Sequence, residues 1–286
     1  MQEKVNFECA GQRMAGVLHL PADYKRGDRR AAIIVMHGFG SNKDAANCTV
    51  PAGMYESWGY VVLRFDRRGC GESGGEPGLN LCREHVEDTK AALSWLAARS
   101  EVRSERIALQ GTSLGGAIAV YTAGVDPRVA AVISVGGWGD GERKLQGQHP
   151  TKEGWEKFRA MLDEGKRKPG MKVHRFDIVP IPPHLRGGLP PTALMEFHVE
   201  TAQSIYDFRP DDVVGKISPR PILFMHAAPD SVTPTDESIE MFRRAKPPVE
   251  LHLFHGVDHF MLAEGNPRVT ETLRSWLAVN FPATST

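Results

Sequence analysis

Six short apolar runs recur along the chain, and helical patterns separate most of them. Runs of this kind, ending in glycine or polar residues, are typical of strands buried on both faces of a sheet. Buried strands that alternate with helices predict a mostly parallel sheet with helices on both of its faces. The runs occupy residues 31–40, 60–66, 106–111, 129–137, 220–227 and 249–256, and the clearest helical patterns occupy 84–99, 114–123, 236–244 and 267–279.

Two further strands are predicted at the N-terminus, over 5–11 and 14–21, around a short turn at Gly11-Gln12. They complete a predicted sheet of eight strands in an α/β fold. Active sites in such sheets lie at the carboxyl ends of the strands, so the loops that follow the strands are where functional residues are expected.

The segment 138–208 interrupts the alternation of strands and helices. It contains an amphipathic helical pattern over 151–167, a Pro-rich stretch, and a second predicted helix over 192–206. A connection of this length is too long for a plain loop. We therefore predict a core over 1–137 and 209–286, with 138–208 inserted as a helical cap that shapes the substrate pocket. The alternative is an insertion that merely covers the sheet.

Composition narrows the class of protein. The 35 basic and 35 acidic residues give a formal net charge of zero, which does not favour nucleic acid or an anionic membrane as a partner. The first residues contain no apolar run of the length that a signal peptide needs, and no stretch reaches the ~20 apolar residues of a membrane span. A soluble, cytoplasmic protein is therefore expected. The four cysteines lack zinc-site or CxxC spacing and are expected to be reduced structural thiols.

Ser113 lies in the sequence Gly111-Thr112-Ser113-Leu114-Gly115, directly after an apolar strand and before a helical run. This is the context of a nucleophile elbow, in which a strained backbone projects the serine hydroxyl above the sheet. The flanking glycines let the strand and the helix approach closely. Ser113 is therefore the predicted nucleophile, and a helix-capping serine is the alternative.

A second G-x-S-x-G match surrounds Ser73, but no strand leads directly into it and no helix follows it. We interpret this glycine-rich segment as a structural turn after the strand 60–66. Ser73 is not expected to be a nucleophile.

A serine nucleophile needs a histidine base and a carboxylate that orients the histidine. His259, in the loop after the last strand, is the predicted base, and Asp230, in the loop after the strand 220–227, is the predicted acid. Asp236, Asp258 and Asp140 are weaker alternatives for the acid. His252, His255 and His259 could be drawn as metal ligands, but a strand-to-loop path does not gather them on one face, and no metal is predicted.

The sequence His37-Gly38-Phe39-Gly40 follows the strand 31–36. The backbone N–H groups of Phe39 and Leu114 are the predicted oxyanion donors, and His37 is expected to hold the loop. The alternative for this sequence is an ordinary glycine turn.

The sequences HGFG, FDRRGCGES, GTSLGG, APDSVTP and GVDHF occur in an order that resembles the α/β-hydrolase superfamily over nearly the whole chain. Within it the chain is similar to capped serine esterases and C–C hydrolases. It does not resemble haloalkane dehalogenases or dienelactone hydrolases, which have aspartate and cysteine in place of Ser113. The resemblance implies an α/β-hydrolase fold, a Ser113–Asp230–His259 triad and oxyanion donors at Phe39 and Leu114.

We expect hydrolysis of a small to medium carboxylic ester through an acyl-enzyme, with no cofactor and no metal. C–C bond hydrolysis, thioester hydrolysis, acyl transfer, and ligand binding without catalysis are the alternatives. The expected partner is a small-molecule ester, and the oligomeric state is left open, with a homodimer as one option. The apolar residues of the cap are expected to contact the substrate, namely Trp138, Trp155, Phe158, Leu194 and Met195.

Overall fold

The computed structural model describes residues 1–284, and its centre is one mixed sheet of eight strands in the order β1-β2-β4-β3-β5-β6-β9-β10. β2 pairs antiparallel with β1 and β4, and every other pairing in this sheet is parallel. The strands of the chain are β1 Gln2–Cys9, β2 Gln12–His19, β3 Arg30–Met36, β4 Val61–Phe65, β5 Val102–Thr112, β6 Val129–Val135, β7 Lys172–His174, β8 Glu196–His198, β9 Ile222–Ala227 and β10 Val249–Phe254. The predicted α/β fold with a mostly parallel eight-stranded sheet is confirmed.

Helices cover both faces of the sheet. Their bounds are α1 Ala46–Ser57, α2 Cys82–Ala97, α3 Leu114–Val125, α4 Gly141–Gln148, α5 Lys152–Arg167, α6 Arg175–Ile178, α7 Val199–Tyr206, α8 Asp236–Arg244 and α9 Pro267–Asn280. Successive residues of β3 alternate between two apolar cores, one with α2 and α3 and the other with α1 and α9. This alternation is why the strand reads as a continuous apolar run: both of its faces are buried.

The strand order places two strand ends side by side. β3 lies between β4 and β5 in the sheet. The connection from β3 to β4 therefore runs to one side of β3, and the connection from β4 to β5 crosses to its other side. At such a switch point the loops after the two neighbouring strands diverge and leave a crevice. Met36 of β3 pairs with Gly111 of β5, so the residues that follow these two positions are neighbours at the carboxyl edge of the sheet.

The segment between β6 and β9 contributes no strand to the large sheet. It contains α4, α5, α6 and α7, together with the separate antiparallel pair β7 and β8. The helix predicted over 192–206 is shorter than expected and begins at Val199, because residues 196–198 pair with β7 as a strand. These three-residue strands are too short to show a period of two, and α4 and α1 were also not predicted.

Two expectations about the chain as a whole can be compared with the structure. Within residues 1–284, no helix is long and apolar enough to cross a bilayer. The four cysteines are free, and burial raises the pKa of Cys48, Cys70 and Cys82 to about 12, so these thiols stay protonated at neutral pH.

Candidate active site

Ser113 occupies a sharp turn between β5, which ends at Thr112, and α3, which begins at Leu114. Its backbone has φ 58° and ψ −121°, a region that residues with a Cβ rarely adopt. The surrounding structure holds this conformation. The N–H of Ser113 donates to the carbonyl of Val135 at 2.9 Å, and its own carbonyl accepts from Gly116 and Ala117 in the first turn of α3.

Glycine is required on both sides of this turn. A Cβ on Gly111 would lie 2.1 Å from the carbonyl carbon of Gly115. A Cβ on Gly115 would lie 2.6 Å from the carbonyl oxygens of Met36 and His37, at the end of β3. Real Cβ atoms do not approach other atoms so closely, so the contact between strand and helix that forms the elbow depends on both glycines.

Asp230 and His259 come together from the loops after β9 and β10. The imidazole Nδ1 of His259 lies 2.8 Å from Oδ2 and 3.1 Å from Oδ1 of Asp230. Oδ1 of Asp230 also accepts the backbone N–H groups of Val232 and Thr233, at 2.7 and 2.8 Å. Both side chains are buried, and the two backbone bonds to Oδ1 help to fix the orientation of the carboxylate.

The electrostatics of this pair favour an ionised carboxylate. Burial by itself raises the pKa of Asp230, but His259 and His226 outweigh that effect and hold the pKa well below its usual range. Nε2 of His226 lies 3.3 Å from Oδ2 of Asp230. An ionised Asp230 selects the His259 tautomer with hydrogen on Nδ1, which leaves Nε2 available to accept a proton.

Ser113 and His259 line the same cavity, and Asp230 lies behind the imidazole. The His259–Asp230 pair packs against Gly136, the residue that follows β6. A Cβ on Gly136 would lie 3.4 Å from both Nδ1 of His259 and Oδ2 of Asp230. The structure thus brings together the three residues predicted as nucleophile, base and acid, which are far apart in the sequence.

The loop 37–40 borders Ser113, since a Cβ on Gly38 would lie 3.6 Å from the Cβ of Ser113. Two buried arginines hold the carbonyl groups of this loop. Nη2 of Arg67 donates to the carbonyls of His37 and Gly38, the second at 3.2 Å. Arg175 donates to the carbonyl of Phe39 at 2.5 Å and to that of Gly40 at 3.2 Å.

These contacts orient the predicted oxyanion donors. In a trans peptide the C=O and the following N–H point in opposite directions, so the bond from Arg67 to the Gly38 carbonyl turns the N–H of Phe39 away from Arg67. The ring of Phe39 stacks on Phe197 with centroids 4.3 Å apart, which further restrains the residue. Leu114 is the first residue of α3, where N–H groups have no partner within the helix.

The alternative acids have other roles. Asp140 caps α4 and pairs with Arg209 at 3.1 Å, and Asp236 lies exposed in the first turn of α8. Asp258 accepts the backbone N–H and the hydroxyl of Ser231, at 2.8 and 2.6 Å, which fits the loop-structuring role considered for it. Asp230 is the carboxylate that contacts the imidazole of His259.

Ser73, in the second G-x-S-x-G match, is a turn residue. Its hydroxyl donates to the carbonyl of Asp66 at 2.5 Å and accepts the backbone N–H of Ala15 at 2.8 Å. The hydroxyl therefore ties the glycine-rich loop to β2.

The cavity that contains Ser113 is small, about 30 Å³ when measured as the space open to the centre of a water molecule. Its lining combines apolar side chains with a few polar ones. The lining residues are Gly38, Phe39, Ser41, Asn47, Ser113, Arg175, Val179, Ile181, Gly188, Leu189, Val232, His259 and Phe260. Five of these, from Arg175 to Leu189, belong to the inserted segment.

Within residues 1–284, the five residues predicted to contact substrate lie outside this lining. Trp138 and Phe158 are buried, with Trp138 packed against Phe208, and the half-buried Trp155 stacks on Phe158. Leu194 and Met195 present backbone carbonyls to Arg175, and the side chain of Met195 is exposed. An apolar residue at helical spacing can face a core or a cavity, and the spacing alone does not separate the two.

Sequence reasoning did not find Arg67, Arg175, Ser41 or Asn47 as site residues. The position of Arg67 could have indicated a site residue, because it lies two residues after the end of β4, the strand that neighbours β3. No sequence pattern indicated Arg175, since it follows a three-residue strand in a segment without clear periodicity.

A sequence profile of the X-Pro dipeptidyl-peptidase (S15) family matches residues 10–260 of the chain. The protein belongs to this family. The match confirms the α/β-hydrolase superfamily that the motifs predicted. Family and fold together identify an enzyme of the serine-hydrolase type.

Similar proteins include polyketide transferase grgF of Penicillium sp, which is 28% identical over 245 residues, 81% of each chain. A crystal structure of α/β hydrolase GrgF from Penicillium sp. sh18 matches with a TM-score of 0.78 and 27% identity over 97% of each chain. Acyltransferase drtE of Aspergillus calidoustus is 24% identical over 290 residues, 91% of this chain and 90% of its own.

Est1E of Butyrivibrio proteoclasticus, solved with ferulic acid bound, matches with a TM-score of 0.70 at 18% identity, over 96% of this chain and 98% of its own. At this identity the likeness shows the fold alone.

Proposed function

We propose that the protein hydrolyses carboxylic esters through an acyl-enzyme formed on Ser113, with His259 as base and Asp230 as the orienting acid. The observation that carries the proposal is that a strained serine and a histidine held by a buried carboxylate line one cavity. A helix-capping serine needs no such φ and no such neighbours.

The reaction follows from the positions of these groups. Nε2 of His259 takes the hydroxyl proton as Oγ of Ser113 bonds to the ester carbonyl carbon, and the carbonyl oxygen becomes an oxyanion. The N–H groups of Phe39 and Leu114 stabilise that oxyanion; one such donor contributes about 3–4 kcal/mol to the transition state. The C–O bond to the alcohol then breaks, and His259 returns the proton to the leaving alcohol. Water attacks the acyl-serine with His259 again as base, and releases the acid.

The lining of the cavity supports a substrate with an apolar part, and its small volume supports a short acyl group. Val179, Ile181 and Leu189 approach Ser113 from the inserted segment, and Val232 and Phe260 from the loops after β9 and β10. We propose that 138–208 is a cap domain on a core formed by 1–137 and 209–286, and that the cap shapes the acyl pocket.

A second candidate is transfer of the acyl group from Ser113 to an acceptor other than water. The observation that favours it is the similarity over most of the chain to a polyketide transferase and to an acyltransferase. Both reactions share the acyl-serine and differ only in the nucleophile that attacks it, so one site can perform either.

Hydrolysis of p-nitrophenyl acetate, butyrate, octanoate and laurate tests the proposal. Wild-type protein should hydrolyse the shorter esters and react with a fluorophosphonate probe, and Ser113→Ala should abolish both. Ser73→Ala is the matched control, because this serine has the same local motif, and it should keep the labelling. Labelling that survives in Ser113→Ala, or folded wild type without labelling, would refute the proposed nucleophile.

The acceptor is tested with the same esters in the presence of a primary alcohol or amine. Release of the acid at an unchanged rate identifies water as the acceptor. Formation of a new ester or amide that requires Ser113 identifies acyl transfer.

A further inference from the structure

The cavity around Ser113 contains three buried polar side chains with unused hydrogen-bonding groups. Ser41, Asn47 and Arg175 are 5%, 6% and 2% exposed, and all three line the cavity. Oγ of Ser41, Oδ1 of Asn47 and Nε of Arg175 have no hydrogen-bond partner among residues 1–284. Buried polar groups are almost always paired, so these three residues are the candidates on this lining for binding a polar ligand group.

The charge at this position is also uncompensated. The hydrogen bonds of Arg175 go to the backbone carbonyls of Phe39, Gly40 and Leu194, and within the described chain it has no carboxylate partner. Burial lowers the pKa of Arg175 to about 10, so the guanidinium stays charged at neutral pH. Arg143 of the same inserted segment shows the usual arrangement, with Glu237 at 2.7 Å and Asp211 at 3.0 Å.

A carboxylate is the ligand that matches these groups. It accepts from the Nε–H of Arg175 and from the hydroxyl of Ser41, and charge-assisted bonds of this kind are the strongest that an arginine makes. The amide of Asn47 offers two N–H donors once its oxygen and nitrogen exchange places, which a rotation of the amide allows.

The distance to Ser113 limits the length of the substrate. A Cβ on Gly38 would lie 3.6 Å from the Cβ of Ser113, and a Cβ on Gly40 would lie 2.8 Å from Nη1 of Arg175. Two residues of extended chain span at most about 7 Å. Arg175 therefore lies within about 13 Å of Ser113. The small volume of the cavity, about 30 Å³, favours a short spacer between the carboxylate and the scissile carbonyl.

We propose that Ser41, Asn47 and Arg175 form a subsite for a carboxylate on the acyl part of the substrate, so that the preferred substrates are half-esters of short dicarboxylic acids such as succinic or glutaric acid. The position of the subsite relative to the reacting carbonyl rests on the proposed acyl-enzyme chemistry at Ser113, whereas binding of a carboxylate to the subsite does not depend on that chemistry.

Monomethyl succinate and methyl levulinate are the test pair, because they have the same chain length and differ in a charged carboxylate against a neutral ketone. Wild type should hydrolyse the succinate ester with a kcat/KM about tenfold higher or more, since the carboxylate gains charge-assisted bonds. Arg175→Met should bring this ratio close to one, whatever it does to the absolute rate through the loop 37–40. Arg175→Lys should retain part of the preference, and Arg167→Met, which removes an exposed arginine of the same segment, should leave the ratio unchanged.

Ser41→Ala provides a second variant with a minimal change of volume, and it should lower the ratio without abolishing hydrolysis of methyl levulinate. A wild-type ratio near one, or a ratio that neither Arg175→Met nor Ser41→Ala lowers, overturns the subsite.

Thermal unfolding of Ser113→Ala with each ester separates the two proposals. Stabilisation by monomethyl succinate alone, lost on adding Arg175→Met, supports the subsite even if the wild type hydrolyses neither ester. Equal stabilisation by both esters, with hydrolysis of both by the wild type, overturns the subsite and leaves the ester hydrolase in place.

Discussion

Replacing Ser113 by glycine should give a more stable protein than replacing it by alanine, although both changes remove the same hydroxyl. Ser113 has φ 58° and ψ −121°, and alanine keeps the Cβ that makes this conformation unfavourable. Glycine has no Cβ and adopts it freely. The comparison of the two variants therefore isolates the backbone strain at the elbow from every contact of the serine hydroxyl.

The size of the effect follows from two opposing quantities. A residue other than glycine in a sparsely populated backbone region costs about 1–3 kcal/mol. Glycine loses more conformational freedom on folding than alanine, which offsets about 0.5–1 kcal/mol of that gain. The net expectation is that Ser113→Gly is more stable than Ser113→Ala by about 0.5–2 kcal/mol in the free energy of unfolding.

Urea unfolding of both variants, followed by fluorescence, measures the difference. Ser275 is the control position, since it lies exposed within α9 and has no such strain. There the order should reverse, with Ser275→Gly less stable than Ser275→Ala by about 1 kcal/mol because glycine is a poor helix former. If Ser113→Gly is equal to or less stable than Ser113→Ala while the control behaves as expected, Ser113 is not strained and the argument for a nucleophile elbow fails.

Three further predictions concern the acid, a buried lysine and the elbow. Asp230→Asn should lower kcat/KM for p-nitrophenyl butyrate by about 10³–10⁴-fold through the wrong histidine tautomer, whereas Asp258→Asn should change it only a few fold. Burial lowers the pKa of Lys144 to about 7, so between pH 7 and 10 the unfolded chain holds more protons than the folded one. The stability of wild type relative to Lys144→Met should therefore rise with pH by up to about 1.4 kcal/mol per pH unit, measured by urea unfolding at pH 7 and 8; a constant difference would contradict this. Gly111→Ala should destabilise the protein by about 3 kcal/mol or more in the same assay, because its Cβ would lie 2.1 Å from the Gly115 carbonyl carbon.

The parts of the fold that could be predicted are those in which one local pattern decides the structure. β3 is buried on both faces, so it reads as an unbroken apolar run, and α8 was predicted with the bounds Asp236–Arg244 that the structure has. The positions of Ser113, Asp230 and His259 followed from the same pattern, because each lies within three residues of the end of a predicted strand. The structure brings the three residues together, and their catalytic roles stay predictions.

The parts that could not be predicted depend on contacts between distant segments. α1 contains Pro51 in its interior, which reads as a helix breaker in isolation. The strand Glu196–His198 exists because it pairs with β7, and three residues carry no period of their own. Trp138 and Phe158 were expected to contact substrate; both are buried in the apolar core and lie outside the lining of the cavity that contains Ser113.

Arg175 links the inserted segment to the chemistry more directly than the apolar residues do. Its side chain crosses from α6 to the loop 37–40 and binds the carbonyls of Phe39 and Gly40, and in return the carbonyl of Gly40 accepts the N–H of Leu194. The loop that carries a predicted oxyanion donor is thus held from the sheet side by Arg67 and from the cap side by Arg175. Arg175 and Leu194 both belong to the inserted segment, so a displacement of that segment would remove their bonds to the loop and leave it held by Arg67 alone among these three residues.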